Sequence, residues 1–109
     1  MLIKSIERLE ETVEAETVAL LANQLVDHEE FNRRKSQSLL ELTRLTRALQ
    51  GEPLSLEATR RLESLRVKLD RNHSVLEMHL RAVQEVADIV SKAIQSAESD
   101  GTYSASARY

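Results

Sequence analysis

Helix breakers are almost absent from this chain, and the two that fall together decide its organisation. Its 109 residues include two glycines and one proline. Gly51 and Pro53 share the segment "LQGEPLSLEA", and Gly101 lies near the end. Neither glycine nor proline interrupts the runs from Leu2 to Leu49 and from Leu56 to Ala97. Two long helices joined by one turn are the expectation. The first spans about 2–49, a loop takes 50–55, the second spans about 56–97, and 98–109 form a flexible C-terminal tail. Gly51 is placed to end the first run in a left-handed conformation. Ser55 is placed to N-cap the second, with Glu57 near its positive end. The fold class read from this pattern is all-α: a long antiparallel helical hairpin, coiled-coil-like, with a bend allowed in the first helix.

Hydrophobic spacing supports that reading. In the second run Leu62, Leu65, Leu69, Asn72, Leu76, His79, Val83, Val86, Val90 and Ala93 alternate steps of three and four, the spacing of a heptad seam. Leu62, Leu65, Leu69, Leu76 and Val83 are expected to face the first helix. In the first run Ile6, Leu9, Val13, Leu20, Leu21 and Leu25 form one stripe, and Leu39, Leu42, Leu45 and Leu49 form another. Between the stripes lies "VDHEEFNRRKSQS", polar apart from Val26 and Phe31, which is the weak point of the first helix. A two-helix hairpin has little core of its own, so extra packing is expected from self-association, a helix folded back, or a bound partner.

Charge is spread unevenly. Residues 1–32 hold eight acids and two bases, residues 33–71 five acids and ten bases, and residues 72–109 five acids and three bases. Acid at the start of the first helix and base at its end suit the helix dipole. Arg60, Arg61 and Arg66 sit early in the second helix, where the dipole disfavours them, and call for acids across the hairpin or on a partner. With no cysteine, the chain has neither a disulfide framework nor a thiolate metal site. No apolar run approaches the roughly 20 residues of a membrane span, and "MLIKSIERLEE" is too charged for a secretory signal, so a cytoplasmic protein without membrane insertion is expected.

Few residues suggest chemistry. Asp70, His73 and Glu77 can share a helix face, but such trios are common on charged helices and imply no metal. No phosphate-binding glycine loop, nucleophile elbow or isolated carboxylate pair occurs, so neither an enzyme nor a cofactor is expected. "NRRKSQ" with Arg60 and Arg61 makes a basic end, yet the chain is acidic overall and lacks an aromatic stacking platform, which argues against nucleic acid. A second apolar line on the second helix, Val75, Met78, Ala82 and Ile89, either widens the core, makes a dimer, or receives an amphipathic helix from another protein. Asn72 and His79 occupy seam positions where leucine would pack better. They fix register, or mark where the seam opens to a partner. Two of the three aromatics, Tyr103 and Tyr109, lie in the last seven positions, in "SDGTYSASARY". Such a segment cannot recover its ordering entropy by itself, so Tyr103 is read as an anchor for a partner.

Taken in order, these segments resemble a known family. "LEETVEAETVALLANQLVDHEEFNRRKSQSLLELTRLTRAL" resembles the long first helix of the FlgN-type flagellar export chaperones. After the glycine–proline break, "LRVKLDRNHSVLEMHL" is similar to the family's second-helix segment, and "DGTYS" to its tyrosine-bearing tail. The resemblance implies a cytosolic chaperone of flagellar type III secretion. Such a protein binds the C-terminal helical segment of hook–filament junction proteins, prevents their premature assembly and delivers them to the export gate. It places the face around Asn72, Val75 and Met78 in the cargo-binding region, which the second apolar line extends to Ala82 and Ile89, and makes Tyr103 the gate-docking residue. A homodimer is a further option. The family often places its glycine after the tyrosine, whereas Gly101 precedes Tyr103 here. The rival from another class is a structural coiled-coil subunit for dimerisation or scaffolding.

Overall fold

The computed structural model describes residues 1–100, and three helices account for most of them: α1 (Leu2–Leu21), α2 (His28–Ala48) and α3 (Leu56–Ser99). Among the described residues there is no strand. The all-α class holds. The chain divides into two compact units, one from Met1 to Leu76 and one beginning at Glu77, so α3 contributes to both.

The single helix expected over 2–49 is corrected: it is two helices, and the allowed bend is a complete reversal. α1 stops at Leu21 without glycine or proline. Asn23 adopts φ 55°, in the left-handed region. Its N–H donates to the Leu20 carbonyl at 3.1 Å, and the Gln24 N–H reaches back to the Ala19 carbonyl at 3.0 Å. These are the two bonds of a Schellman termination, with asparagine in the position glycine usually takes. Four residues later Asp27 N-caps α2, its carboxylate accepting from the Glu30 N–H at 3.1 Å. Glu29 and Glu30 in the first turn and Arg47 in the last suit the α2 dipole. The break lies at residues 22–27, at the edge of the polar stretch rather than inside it.

The second turn follows expectation more closely. Gly51 has φ 90°, and the Ser55 hydroxyl accepts from the Ala58 N–H at 3.1 Å to start α3.

In the first unit α1 and α2 run antiparallel. Arg8 of α1 meets Glu41 of α2, and further along α1 Glu16 meets Lys35 at 2.7 Å. α3 runs parallel to α1, since Arg61 reaches Glu7 at 3.5 Å, Lys68 reaches Glu10 at 2.8 Å, and Asn72 reaches Glu16 at 3.0 Å. The unit is an up–down–up three-helix bundle. Its core joins Ile6, Leu9 and Val13 of α1 with Leu42 of α2 and Leu65 of α3. Each such side chain contributes about 1.5–3 kcal/mol by leaving water. Leu2, Leu62 and Leu69 pack against them. The expectation that α3 leucines face the first helix therefore holds for Leu62, Leu65 and Leu69. Leu76 is half-buried, and Val83, also expected there, is 53% exposed. Leu20 is buried, whereas Leu21, the last residue of α1, and Leu25, beyond its end, are exposed.

In the second unit every side chain from Glu77 to Ser96 is exposed.

Candidate functional site

Two regions carry more than packing, one in each unit.

In the first unit a buried polar network ties the three helices together. Asn72, 3% exposed, donates from Nδ2 to Glu16 Oε1 and Thr17 Oγ1, each at 3.0 Å. A longer contact from the same nitrogen reaches the Val13 carbonyl at 3.4 Å. The Thr17 hydroxyl in turn donates to the Val13 carbonyl at 2.9 Å. Lys35 of α2 enters from the side, donating to Glu16 Oε1 at 2.7 Å and to Asn72 Oδ1 at 3.4 Å. Glu16 is completely buried, and its second oxygen, Oε2, has no hydrogen-bond partner among the described residues. A buried charge is tolerable only when paired, and Lys35 supplies the pairing. The seam asparagine thus meets one specific set of neighbours, and a slip of α3 by one turn would take its amide away from Glu16 and Thr17.

Ion pairs on the outside of this unit account for part of the charge pattern. Lys68 bridges Glu10 at 2.8 Å and Glu14 at 2.6 Å. The hydrogen bond to Glu10, then that to Glu14, raises the Lys68 pKa above its ordinary value. Arg33 and Arg34 close on Glu30 at 2.6 and 2.9 Å, and these hydrogen bonds, Arg33 first, hold the Glu30 carboxyl below its ordinary value. Arg61 finds the acid expected of it in Glu7. Arg60 and Arg66 are exposed.

The second unit presents an apolar helix face to solvent. Val83, Val86 and Val90, which continue the heptad spacing of α3, are between 51% and 60% exposed. Met78 at 59% and Ile89 at 66% lie along one side of them, with Ala82 between, and Leu80 and Ile94 lie along the other. The opposite side carries Glu77, Arg81, Gln84, Asp88 and Lys92, so the helix is fully amphipathic. Exposed aliphatic side chains occur singly on any protein, but a continuous line of them marks an interaction surface.

The expected cargo residues divide between these two regions. Asn72 and Val75 are buried in the three-helix unit, at 3% and 8% exposure. Met78, Ala82 and Ile89 are exposed on the second unit. Tyr103 lies outside the described residues. Leu80 and Ile94 were missed as surface residues, and Val83, expected to face the first helix, is exposed. The available signal was length: once the chain reverses at 22–27, α1 is 20 residues and α3 is 44, too long for α1 to cover. Among the described residues no helix is long and apolar enough to cross a membrane, and no three of His, Cys, Asp and Glu converge as metal ligands would. Compared with known proteins, the chain matches no family model, no curated protein and no solved structure.

Proposed function

We propose that this chain is an export chaperone of the FlgN type, a cytosolic protein that holds an amphipathic helix of another protein on the exposed apolar face of α3 after Glu77. The carrying observation is that face: a helix with a continuous line of solvent-exposed valine, isoleucine, leucine and methionine, amphipathic and ready to receive a second helix. Met78, Ala82 and Ile89 form one edge of the proposed cargo surface, with Val83, Val86 and Val90 along its middle. Asn72 and Val75, buried as they are, act in the register of the three-helix unit instead. The resemblance supplies the identity of the cargo, the C-terminal helical segments of flagellar hook–filament junction proteins. It also supplies the delivery step, in which Tyr103 docks on the export gate. A chaperone of this kind needs no enzyme chemistry, only differential burial: the cargo helix is kept from assembling because its apolar side is already covered.

A titration of purified hook–filament junction proteins into the full chain tests the reading. Val86→Lys and Ile89→Lys should each weaken binding tenfold or more, the loss expected for one desolvated aliphatic contact of about 1.5–3 kcal/mol. Circular dichroism should show helicity and melting unchanged. Wild-type protein that binds none of these partners would remove the cargo assignment. The exposed face also favours one other reading, a coiled-coil scaffold built from copies of this chain. Sedimentation equilibrium separates the two, because a scaffold gains mass with concentration in the absence of any cargo.

A further inference from the structure

The apolar face after Glu77 is wider than one helix can cover. At 3.6 residues per turn, its edges run from Met78 on one side, through Val86 and Val90, to Leu80 on the other, an arc of about 200°. The first half of α3 gives the scale. There Val75 and Leu62 mark the limits of the buried positions, an arc of about 140°, and two helices, α1 and α2, lie against it. A single helix packing on a heptad seam covers the a and d positions and little more. In this segment the flanking positions are apolar as well: Leu80, Ala87 and Ile94 on one edge, Ala82 and Ile89 on the other.

We infer that this face is built for two helices at once, lying side by side along its two edges, and that the partner presents them as a pair with basic rims. The charge requirement comes from the surroundings of the face. Glu85 borders the Met78 edge and Glu98 continues the line of Leu80, whereas the bases of the segment, Arg81 and Lys92, lie on the opposite side. Partner helices bordered by lysine or arginine meet these acids favourably, and acidic ones do not. The inference rests on the helix-receiving reading above and adds to it the number, arrangement and charge of the helices received.

Two designed leucine–lysine probes, with a leucine–glutamate hairpin as their charge-reversed counterpart, test it with the full chain. One is a single amphipathic leucine–lysine helix of about 21 residues, matching the length of the exposed segment. The other joins two such helices into a hairpin through a short loop. In calorimetric titrations the single helix should saturate at two per chain. The hairpin should saturate at one per chain and bind at least tenfold tighter, because its second helix docks intramolecularly. Leu80→Lys and Ile89→Lys should each reduce the single-helix stoichiometry from two to one, since each disables one edge. A leucine–glutamate hairpin should bind at least tenfold more weakly than the leucine–lysine one. Saturation at one single helix per chain, with the hairpin no tighter, overturns the two-helix inference and leaves the helix-receiving reading standing. Absence of binding by every probe overturns both. Concentration-dependent association of the free chain that Ile89→Lys abolishes would put copies of this chain on the face, and that also overturns the inference.

Discussion

One helix, α3, is two different objects along its length. From Leu62 to Asn72 its three-and-four spacing is buried against α1 and α2, and Leu65 is 3% exposed. From His79 to Val90 the same spacing continues, and Val86 is 60% exposed. Nothing in the periodicity distinguishes the halves. A heptad pattern therefore states that a face must be covered, and leaves open what covers it. In the first half the cover is α1 and α2; in the second no described residue supplies one.

The sharpest way to break this comparison is to make the same change in both halves. Leu65→Ala should cost about 2–5 kcal/mol, the usual range for emptying a core leucine position, and should lower the thermal midpoint accordingly. Val86→Ala should shift stability by less than about 0.5 kcal/mol, as surface changes do. Equal losses would mean that the second half is packed after all.

A smaller effect is expected at the boundary between the halves. Asn72→Ala removes the donor that Glu16 and Thr17 share, and should cost about 1–3 kcal/mol in chemical denaturation, because the buried Thr17 oxygen loses its donor and Glu16 keeps only Lys35. The corresponding seam residue of the second half, His79, is exposed. Its replacement by alanine should leave the denaturation curve in place, and a loss as large as that of Asn72→Ala would erase the distinction.

The α1–α2 turn sets the length of the covered half and can be weakened separately. Asp27→Ala should destabilise the protein by about 0.5–2 kcal/mol through loss of the α2 cap. The loss should appear in melting of the three-helix unit, with helix binding by residues 77–99 retained.

The smallest effects are those of pH. Glu30, held low by Arg33 and Arg34, contributes stability that is present above its unfolded pKa and is lost as pH falls through the lower folded value. Lys68, held high by Glu10 and Glu14, contributes stability that is present below its unfolded pKa and is lost as pH rises through the higher folded value. Glu30→Gln and Lys68→Met should accordingly differ from wild type at neutral pH. The first difference should vanish in strong acid and the second in strong base. Both sites lie in the first unit, so neither titration should change binding by the α3 face at neutral pH.

Much of the fold was legible because it rests on strong local signals. Gly51 and Ser55 mark their turn by backbone freedom and by a cap, and both act as their chemistry suggests. The leucines at 62, 65 and 69 were legible because burial follows from spacing. The reversal after Leu21 was less visible, since asparagine enters the left-handed region only sometimes and aspartate is common on helix surfaces. Asn23 and Asp27 signal a turn only when taken together with Glu30 three residues on, the spacing of a capping box. Missing that turn carried through to the candidate site. With one long first helix, Val83, Val86 and Val90 have somewhere to pack; with α1 ending at Leu21, they do not. Asn72 was recognised as unusual, but its partners Glu16 and Lys35 could be identified only once three helices met.

The reversal at residues 22–27 also bears on the order in which the chain acquires structure. Had the first 48 residues formed one helix, every tertiary contact would have waited for α3. Instead the contacts of Lys35 with Glu16 and of Arg8 with Glu41 span 19 and 33 residues. Those of Asn72 and Lys68 with α1 span 54 residues or more. Shorter loops close with less entropy lost and chains rich in local contacts fold faster, so the α1–α2 hairpin is the natural nucleus and α3 the late arrival. During synthesis that hairpin is complete while α3 is still being made. The segment after Glu77 is made after every core residue of the first unit, so Ile6, Leu9, Val13, Leu42 and Leu65 precede the valines of the exposed face.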